Sequence, residues 1–208
     1  MSGDGTGRGE LAGQTVVVLG GSAGIGLETA RQVRAAGGEP VLVARDAERL
    51  RRAAAELHPV RTAAFDTART EHFLGGLPGT VDHVLVTAGS PAYTPLDALD
   101  PADAGRDFGG RLALAVAVAR ASRGKVRPGG ALVFIGGTGG RRPAPGMAVT
   151  GAVTAALPAL VANLALEVAP VRVALIAAGF SSSRTEPAPR APCRRRWPPR
   201  DGKCKPWT

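Results

Sequence analysis

A chain of 208 residues is long enough for one buried core and too short for two of ordinary size, so a single domain with one active site is expected. Its 44% apolar content excludes disorder throughout, and an aromatic share of only 4% points to small-residue helices packed on a Val/Leu sheet. The net charge of +9 does not mark a nucleic-acid-binding fold: between Ser181 and Thr208 eight Lys/Arg face two Asp/Glu, which is +6 and leaves +3 for everything before.

Met1 to Glu10 is a polar, glycine-rich stretch without a charged-then-apolar leader pattern, read as a flexible tail over residues 1–10. No run of about 18 uninterrupted apolar residues follows, so a cytoplasmic chain without a membrane partner is expected. Gln14–Gly20 is a β-branched run ending in glycine, and Leu27–Ala36 then places apolar residues at helical spacing. Pro40–Ala44 reads as a second strand, Asp46 as the cap of a helix through Leu57, and Val60–Phe65 as a third strand. Val81–Thr87, Ala131–Ile135 and Val171–Ala177 complete six. Leu112–Ala119 alternates with period two, yet a helix is expected there, because parallel neighbours need a crossover and every second residue is alanine. Strands alternating with helices give the doubly wound α/β class over residues 11–183. Beyond Phe180 the composition changes to six prolines in 28 residues without apolar periodicity, so 184–208 reads as an Arg/Pro-rich disordered tail. It holds both cysteines, Cys193 and Cys204, which match no metal or disulfide spacing; no metal site is expected.

Gly20, Gly24 and Gly26, in GGSAGIG, lie between the first strand and the first helix. Glycines there allow a tight turn, a close approach of backbone N–H groups to a pyrophosphate, and close packing of helix on sheet. Gly20, Ser22, Gly24, Ile25 and Gly26 are the expected cofactor contacts. At the end of the second strand, where a chain selective for NAD places an acid, stands Arg45, whose positive fork suits a 2′-phosphate. NADP is therefore expected, with NAD left open by Asp46, an alternative ribose ligand.

From Leu11 to Ser183 the chain resembles the short-chain dehydrogenase/reductase family, whose Rossmann-like fold carries these features in the same order. The resemblance assigns Arg45 to the 2′-phosphate and Asp66, in AAFD, to the adenine ring. Val86-Thr87-Ala88-Gly89 stands where the family has Asn-Asn-Ala-Gly, which puts Ala88 and Gly89 beside the cofactor. ALEVA (165–169) followed by VRVALIAAG resembles the last helix and the sixth strand.

Family members transfer hydride to or from carbonyls and alcohols with a Tyr-x-x-x-Lys pair, a serine and an asparagine. Counting back from ALEVA places the tyrosine at Thr150 and the lysine at Thr154, the serine near Gly137 or Thr138, and the asparagine near Arg111. The sole tyrosine is Tyr93 and the lysines are Lys125, Lys203 and Lys205, so no register restores the pair. Thr138, Thr150 and Tyr93 remain the candidate catalytic residues. Arg141 and Arg142 could meet an anionic group, although a solvated basic turn is the favoured reading; His58, His72 and His83 read as structural or surface groups. The resemblance also implies a seventh strand, for which the sequence offers no segment, and pairing of subunits through helices such as Leu112–Ala121 and Thr150–Ala169. The expected protein is an NADP(H)-dependent oxidoreductase with degenerate catalytic residues, acting on a small-molecule carbonyl or alcohol as a homo-oligomer. Its alternative is a cofactor-binding pseudo-enzyme, a sensor or inactive subunit, and a third reading has the basic tail bind nucleic acid without sequence preference.

Overall fold

Alternation of short apolar runs with helical ones produces a six-stranded sheet in the computed structural model, which describes residues 9–57, 60–64, 69–89, 91 and 93–179. The expectations for the segment before Gly9, for the tail after Phe180, for His58 and for Asp66 lie outside the described residues. In chain order the elements are β1 (Thr15–Leu19), α1 (Gly24–Ala35), β2 (Glu39–Ala44), α2 (Ala47–Glu56), β3 (Arg61–Ala64), α3 (Thr70–Gly76), β4 (Val81–Val86), α4 (Pro101–Ser122), β5 (Val126–Gly137), α5 (Ala148–Glu167) and β6 (Arg172–Ala178). All pairings are parallel, in the order β3-β2-β1-β4-β5-β6. The doubly wound order reverses between β1 and β4, and the crevice at the carboxyl ends of these two strands is where such sheets take ligands.

Strands buried on both faces need apolar residues at every position, and β1 and β4 supply them: Val16–Leu19 and Val84–Val86 are all buried. On one face Val17, Leu19, Val84, Val86, Leu132 and Phe134 form a core with α3, α4 and α5. On the other, Val16, Val18, Leu42 and Leu85 pack with Ala30 and Val33 of α1, with Leu50 and Ala53 of α2 and with Leu57 that follows it. Asp46 caps α2 as expected, its carboxylate accepting from the Arg49 N–H at 2.9 Å. The alternating segment 112–119 is helical, within an α4 that starts eleven residues earlier, at Pro101; Ala115, Val118, Ala119 and Ser122 form its buried stripe. Asp100 starts it, accepting from the N–H groups of Ala102 (2.8 Å) and Asp103 (3.0 Å).

Among the described residues β6 is the edge of the sheet, and Ile176 is 52% exposed. An apolar groove of about 370 Å³ runs beside α1 over this side, bounded by Ile25, Val33, Leu85, Val133, Ile135 and Ile176. One helix, α5, is long and apolar enough to cross a membrane by length and composition. Here it packs on α4, β5 and β6, burying Thr150, Val153, Leu157 and Val161.

The amino-terminal ends of the strands are tied by polar groups. The Glu10 carbonyl accepts from Gln14 Nε2 (3.3 Å), which leaves Gln14 Oε1 to accept from His83 Nε2 (2.8 Å), while His83 Nδ1 accepts from the Ala131 N–H (3.1 Å). This arrangement requires the neutral imidazole, because both ring nitrogens of the cation are donors. Burial holds His83 below its ordinary pKa, with Arg127 and Arg172 adding to the effect and Asp82 opposing it. Asp82 itself is pushed up by burial, but the Thr15 N–H (2.7 Å) and Arg127 outweigh this and hold it below the usual carboxylate range.

A histidine depressed in the folded state stabilises above its unfolded pKa and loses that contribution as pH falls, since the unfolded chain takes up the proton first. Thermal stability is therefore expected to fall on acidification from about pH 6.5, the unperturbed histidine value. Asp82 adds a second loss only below the ordinary carboxylate pKa. Melting curves at pH 7.5, 6.5 and 5.5 check this: His83→Asn, which can still accept from Ala131, should flatten the slope across that window. An unchanged slope would assign it to other groups.

Candidate functional site

The glycine loop lies where β1 ends, opposite the end of β4. Gly20, at φ 96°, uses a backbone conformation that L side chains rarely adopt. A Cβ there would stand 2.9 Å from the Ala88 nitrogen. Gly26, buried in the first turn of α1, lies against the Gly20 carbonyl, and a Cβ on it would fall 2.7 Å from Thr87 Oγ1. The Thr87 hydroxyl is shared between the carbonyls of Leu19 (3.1 Å) and Gly20 (3.2 Å), so β4 fastens the loop to β1.

The start of α1 shows whether these residues fit a pyrophosphate. Its cap position, Ala23, offers no side-chain oxygen, and the first turn holds no acid, whereas α2 and α4 are capped by Asp46 and Asp100. The first N–H groups of α1 therefore lack an intrahelical or side-chain acceptor, which is the arrangement an anion completes. Gly24, at φ 54°, has nothing within 4 Å of where a Cβ would be, so a phosphate oxygen could approach the backbone. Ser22 is half-buried in the turn, and Ile25 is 40% exposed at its rim. The residues present fit a dinucleotide's diphosphate.

Arg45 is exposed immediately after β2. The alternative ribose ligand, Asp46, has its carboxylate turned into α2, with Oδ1 on the Arg49 N–H and Oδ2 3.9 Å from Arg49 Nε. Capping orients the Asp46 carboxylate toward α2, and the exposed Arg45 is the cation at this edge. Ala88 is half-buried beside the loop, and Gly89, at φ 101°, is exposed at the end of β4.

Thr150 is buried (5% exposed) in the first turn of α5, and Thr154 Oγ1 donates to the Gly151 carbonyl (3.0 Å). Thr138 is half-buried at the end of β5, its N–H on the Ala178 carbonyl (3.2 Å). Tyr93 is 50% exposed in the loop after β4, and the next residue joins that loop to the β5–α5 connection through the Thr94 N–H and the Gly146 carbonyl (3.0 Å). A pocket of about 330 Å³ opens between the turn Gly139–Arg141 and α5, lined by Gly139, Gly140, Met147, Gly151, Ala152 and Ala155 among others. Arg141 and Arg142 are exposed beside it. Among the described residues no group of three or more His, Cys, Asp or Glu could hold a metal.

Two residues at the crevice went unremarked as contributors in the sequence. Thr87 fastens the glycine loop, and Arg111 occupies the continuation of the α4 buried stripe, with its Cγ 3.9 Å from where a Gly89 Cβ would be. Burial pushes the Arg111 pKa below its ordinary value, against the pull of Asp107 and Tyr93.

Comparison with known proteins agrees with this geometry. The family model described as short chain dehydrogenase matches residues 14–191. No curated protein sequence matches the chain. Among solved structures, a short chain dehydrogenase/reductase family protein is 32% identical, with a TM-score of 0.70 over 81% of this chain and 74% of its own. A short chain dehydrogenase from Escherichia coli CFT073, complexed with NADPH, is 22% identical, with a TM-score of 0.74 over 83% of this chain and 79% of its own. One from Shigella flexneri 2a str. 301, complexed with NADP, is 21% identical, with a TM-score of 0.74 over 83% and 80%. With its glycine loop, its strand order and a match over most of its length, the chain belongs to the short chain dehydrogenase family, a family of oxidoreductases.

Proposed function

We propose that this protein binds NADP(H) across the β1/β4 crevice and acts as an oxidoreductase on a small carbonyl or alcohol. The observation that carries the cofactor reading is the uncapped start of α1 joined to a β2 end that presents Arg45 while Asp46 is engaged as a cap. NADP(H) would supply or accept the hydride. Gly20, Ser22, Gly24, Ile25 and Gly26 would hold its diphosphate, Arg45 its 2′-phosphate, and Ala88 and Gly89 would border its ribose and nicotinamide end. The two NADP(H)-complexed neighbours support the choice.

The second reading, a cofactor-binding protein without hydride transfer, is favoured by a specific feature: the positions of the family's Tyr-x-x-x-Lys pair hold Thr150 and Thr154, and Thr150 is buried. A threonine hydroxyl does not ionise near neutral pH, so any proton exchanged with a substrate oxygen would come from Tyr93 or water, with Thr138 able only to hydrogen-bond the substrate. Fluorescence titration with NADPH and NADH tests the shared part, and following NADPH absorbance across a panel of aldehydes and ketones separates the two readings. Tighter NADPH binding with consumption supports the enzyme, binding without consumption supports the second reading, and no binding by folded protein removes both.

We also propose a homodimer formed through α4 and α5, on which Val116 (38% exposed) and Leu166 (80% exposed) leave apolar surface to solvent. Light scattering should give twice the chain mass; a single-chain mass would sink this arrangement.

A further inference from the structure

We propose that the apolar groove beside α1 is a docking site for this chain's own carboxyl-terminal segment, with Trp197 as the side chain that enters it.

The groove exists because the sheet is covered unevenly. Strands of a parallel sheet are ordinarily buried on both faces. On the α5 face β5 and β6 are covered, with Leu132 and Phe134 in the core and Val173 and Leu175 packed against it. On the other face α1 and α2 lie over β1, β2 and β3, and among the described residues no element lies over β5 and β6: Val133 and Ile135 are only half-buried and Ile176 is 52% exposed. The resulting space of about 370 Å³ has no Asp, Glu, Lys or Arg in its wall, and its one histidine, His83, is held toward the neutral form by burial. An apolar group is what such a wall accepts.

The position of the chain says which one. Ala178, the last residue of β6, is itself part of the groove wall, and 29 residues follow Gly179. They hold three of the chain's eight aromatic residues, Phe180, Trp197 and Trp207, and both of its tryptophans. Trp197 is followed by Pro198 and Pro199, which makes it the head of three adjacent apolar side chains whose backbone is already held extended. Prolines lack the N–H that a strand added beside β6 would need, so this segment can contribute side-chain surface and not a further strand. Its composition gives it no core of its own, and a docked aromatic needs none.

Reach and competition favour the tether over a second copy. Trp197 lies 18 residues beyond Gly179, a span of up to about 60 Å, whereas crossing from β6 to β1 takes three strand spacings, about 15 Å. A flexible tether of this kind holds the segment at an effective concentration on the order of a millimolar, which a separate chain at micromolar concentration does not match. The indole also finds a polar partner in the wall: Thr29 Oγ1 donates to the Ile25 carbonyl (2.8 Å), and its lone pairs can accept the indole N–H. The arginines at 194–196 stay in water at the groove mouth, since the docked group is the ring alone.

Intrinsic fluorescence of the full chain is the test, because every tryptophan lies in this segment and none lies elsewhere to mask it. The folded protein should emit at shorter wavelength than the same chain in urea, and acrylamide should quench it several-fold less. Trp207→Phe should keep the shift and Trp197→Phe should remove it. Ile176→Glu, at an exposed position where the fold tolerates change, should return the emission to that of the unfolded chain while circular dichroism stays native. Emission and quenching equal to those of the unfolded chain overturn the proposal, and this comparison needs no variant. A shift that survives Trp197→Phe or Ile176→Glu also overturns it, and one that disappears on dilution assigns the groove to a second copy instead.

Discussion

Gly26→Ala is expected to cost the fold about 2–3 kcal/mol, lowering Tm by roughly 5–10 °C, and to remove dinucleotide binding at the same time. The added methyl would press on the Gly20 carbonyl and come within 2.7 Å of Thr87 Oγ1. Neither is the free end of a flexible side chain. The carbonyl is backbone, and the hydroxyl is held between Leu19 and Gly20. Relief therefore requires α1 to move away from β1, which lifts Ala30 and Val33 from Val16 and Val18 and displaces the uncapped N–H groups proposed to hold the diphosphate. Gly109→Ala supplies the comparison. It lies inside α4 with nothing within 4 Å of a new Cβ, so the same chemical change there should add about 0.5–1 kcal/mol of stability by removing glycine's entropy cost. Thermal melts and NADPH titration of both variants check the pair. A Gly26→Ala protein as stable as the parent and still binding NADPH would mean that the loop does not hold a cofactor in this way.

What the sequence revealed and what it hid follow the range of the interactions involved. The buried runs of β1, β2 and β4, the glycines between β1 and α1 and the Asp46 cap are decided by neighbours within a few residues, so a local pattern is enough to find them. The period-two alternation of 112–119 is a case where composition outweighs pattern: alternate alanines suit a helix, and α4 is one. Its first half escaped notice because residues 101–111 carry no apolar stripe, although Asp100-Pro101 is a start signal. The short α3 buries only Thr70 and Leu74, too little for a periodic signature. β5 was expected from Ala131 but begins at Val126, because Arg127-Pro-Gly-Gly reads as a turn and is accommodated by a register shift between Val81 and His83. In the crevice, the resemblance located Thr87 and Arg111 but not their contacts, since the partners that define them lie 67 residues away for Thr87 and across the β4–α4 connection for Arg111.

The catalytic region separates two things that the family normally joins. Cofactor binding depends on backbone geometry around β1 and β4, and that geometry is intact here. Proton transfer in the family depends on side chains of the helix that corresponds to α5, and the positions that the resemblance gives to its Tyr-x-x-x-Lys pair hold Thr150 and Thr154. A fold can retain the first without the second because the loop's glycines interlock with the core and the α5 crevice face does not.

Arg45→Asp is expected to weaken NADPH binding by roughly 10- to 100-fold, the range spanned by one hydrogen-bonded charge pair. The guanidinium stands at the end of β2, exposed, with the neighbouring carboxylate occupied by the Arg49 N–H. In the variant a carboxylate replaces it, which repels a 2′-phosphate and can instead accept from the 2′-hydroxyl of NADH, so the NADH affinity should rise as the NADPH affinity falls. Because the side chain lies in solvent, Tm should stay within the shift expected of about 0.5 kcal/mol. Raising salt should weaken NADPH binding to the parent more than to the variant, since the exposed pair is screened. Parallel fluorescence titrations with the two nucleotides settle the matter. If both affinities fell together the defect would lie in the loop or in folding, and if neither changed the 2′-phosphate would be held by another group, with Arg45 left as a surface charge.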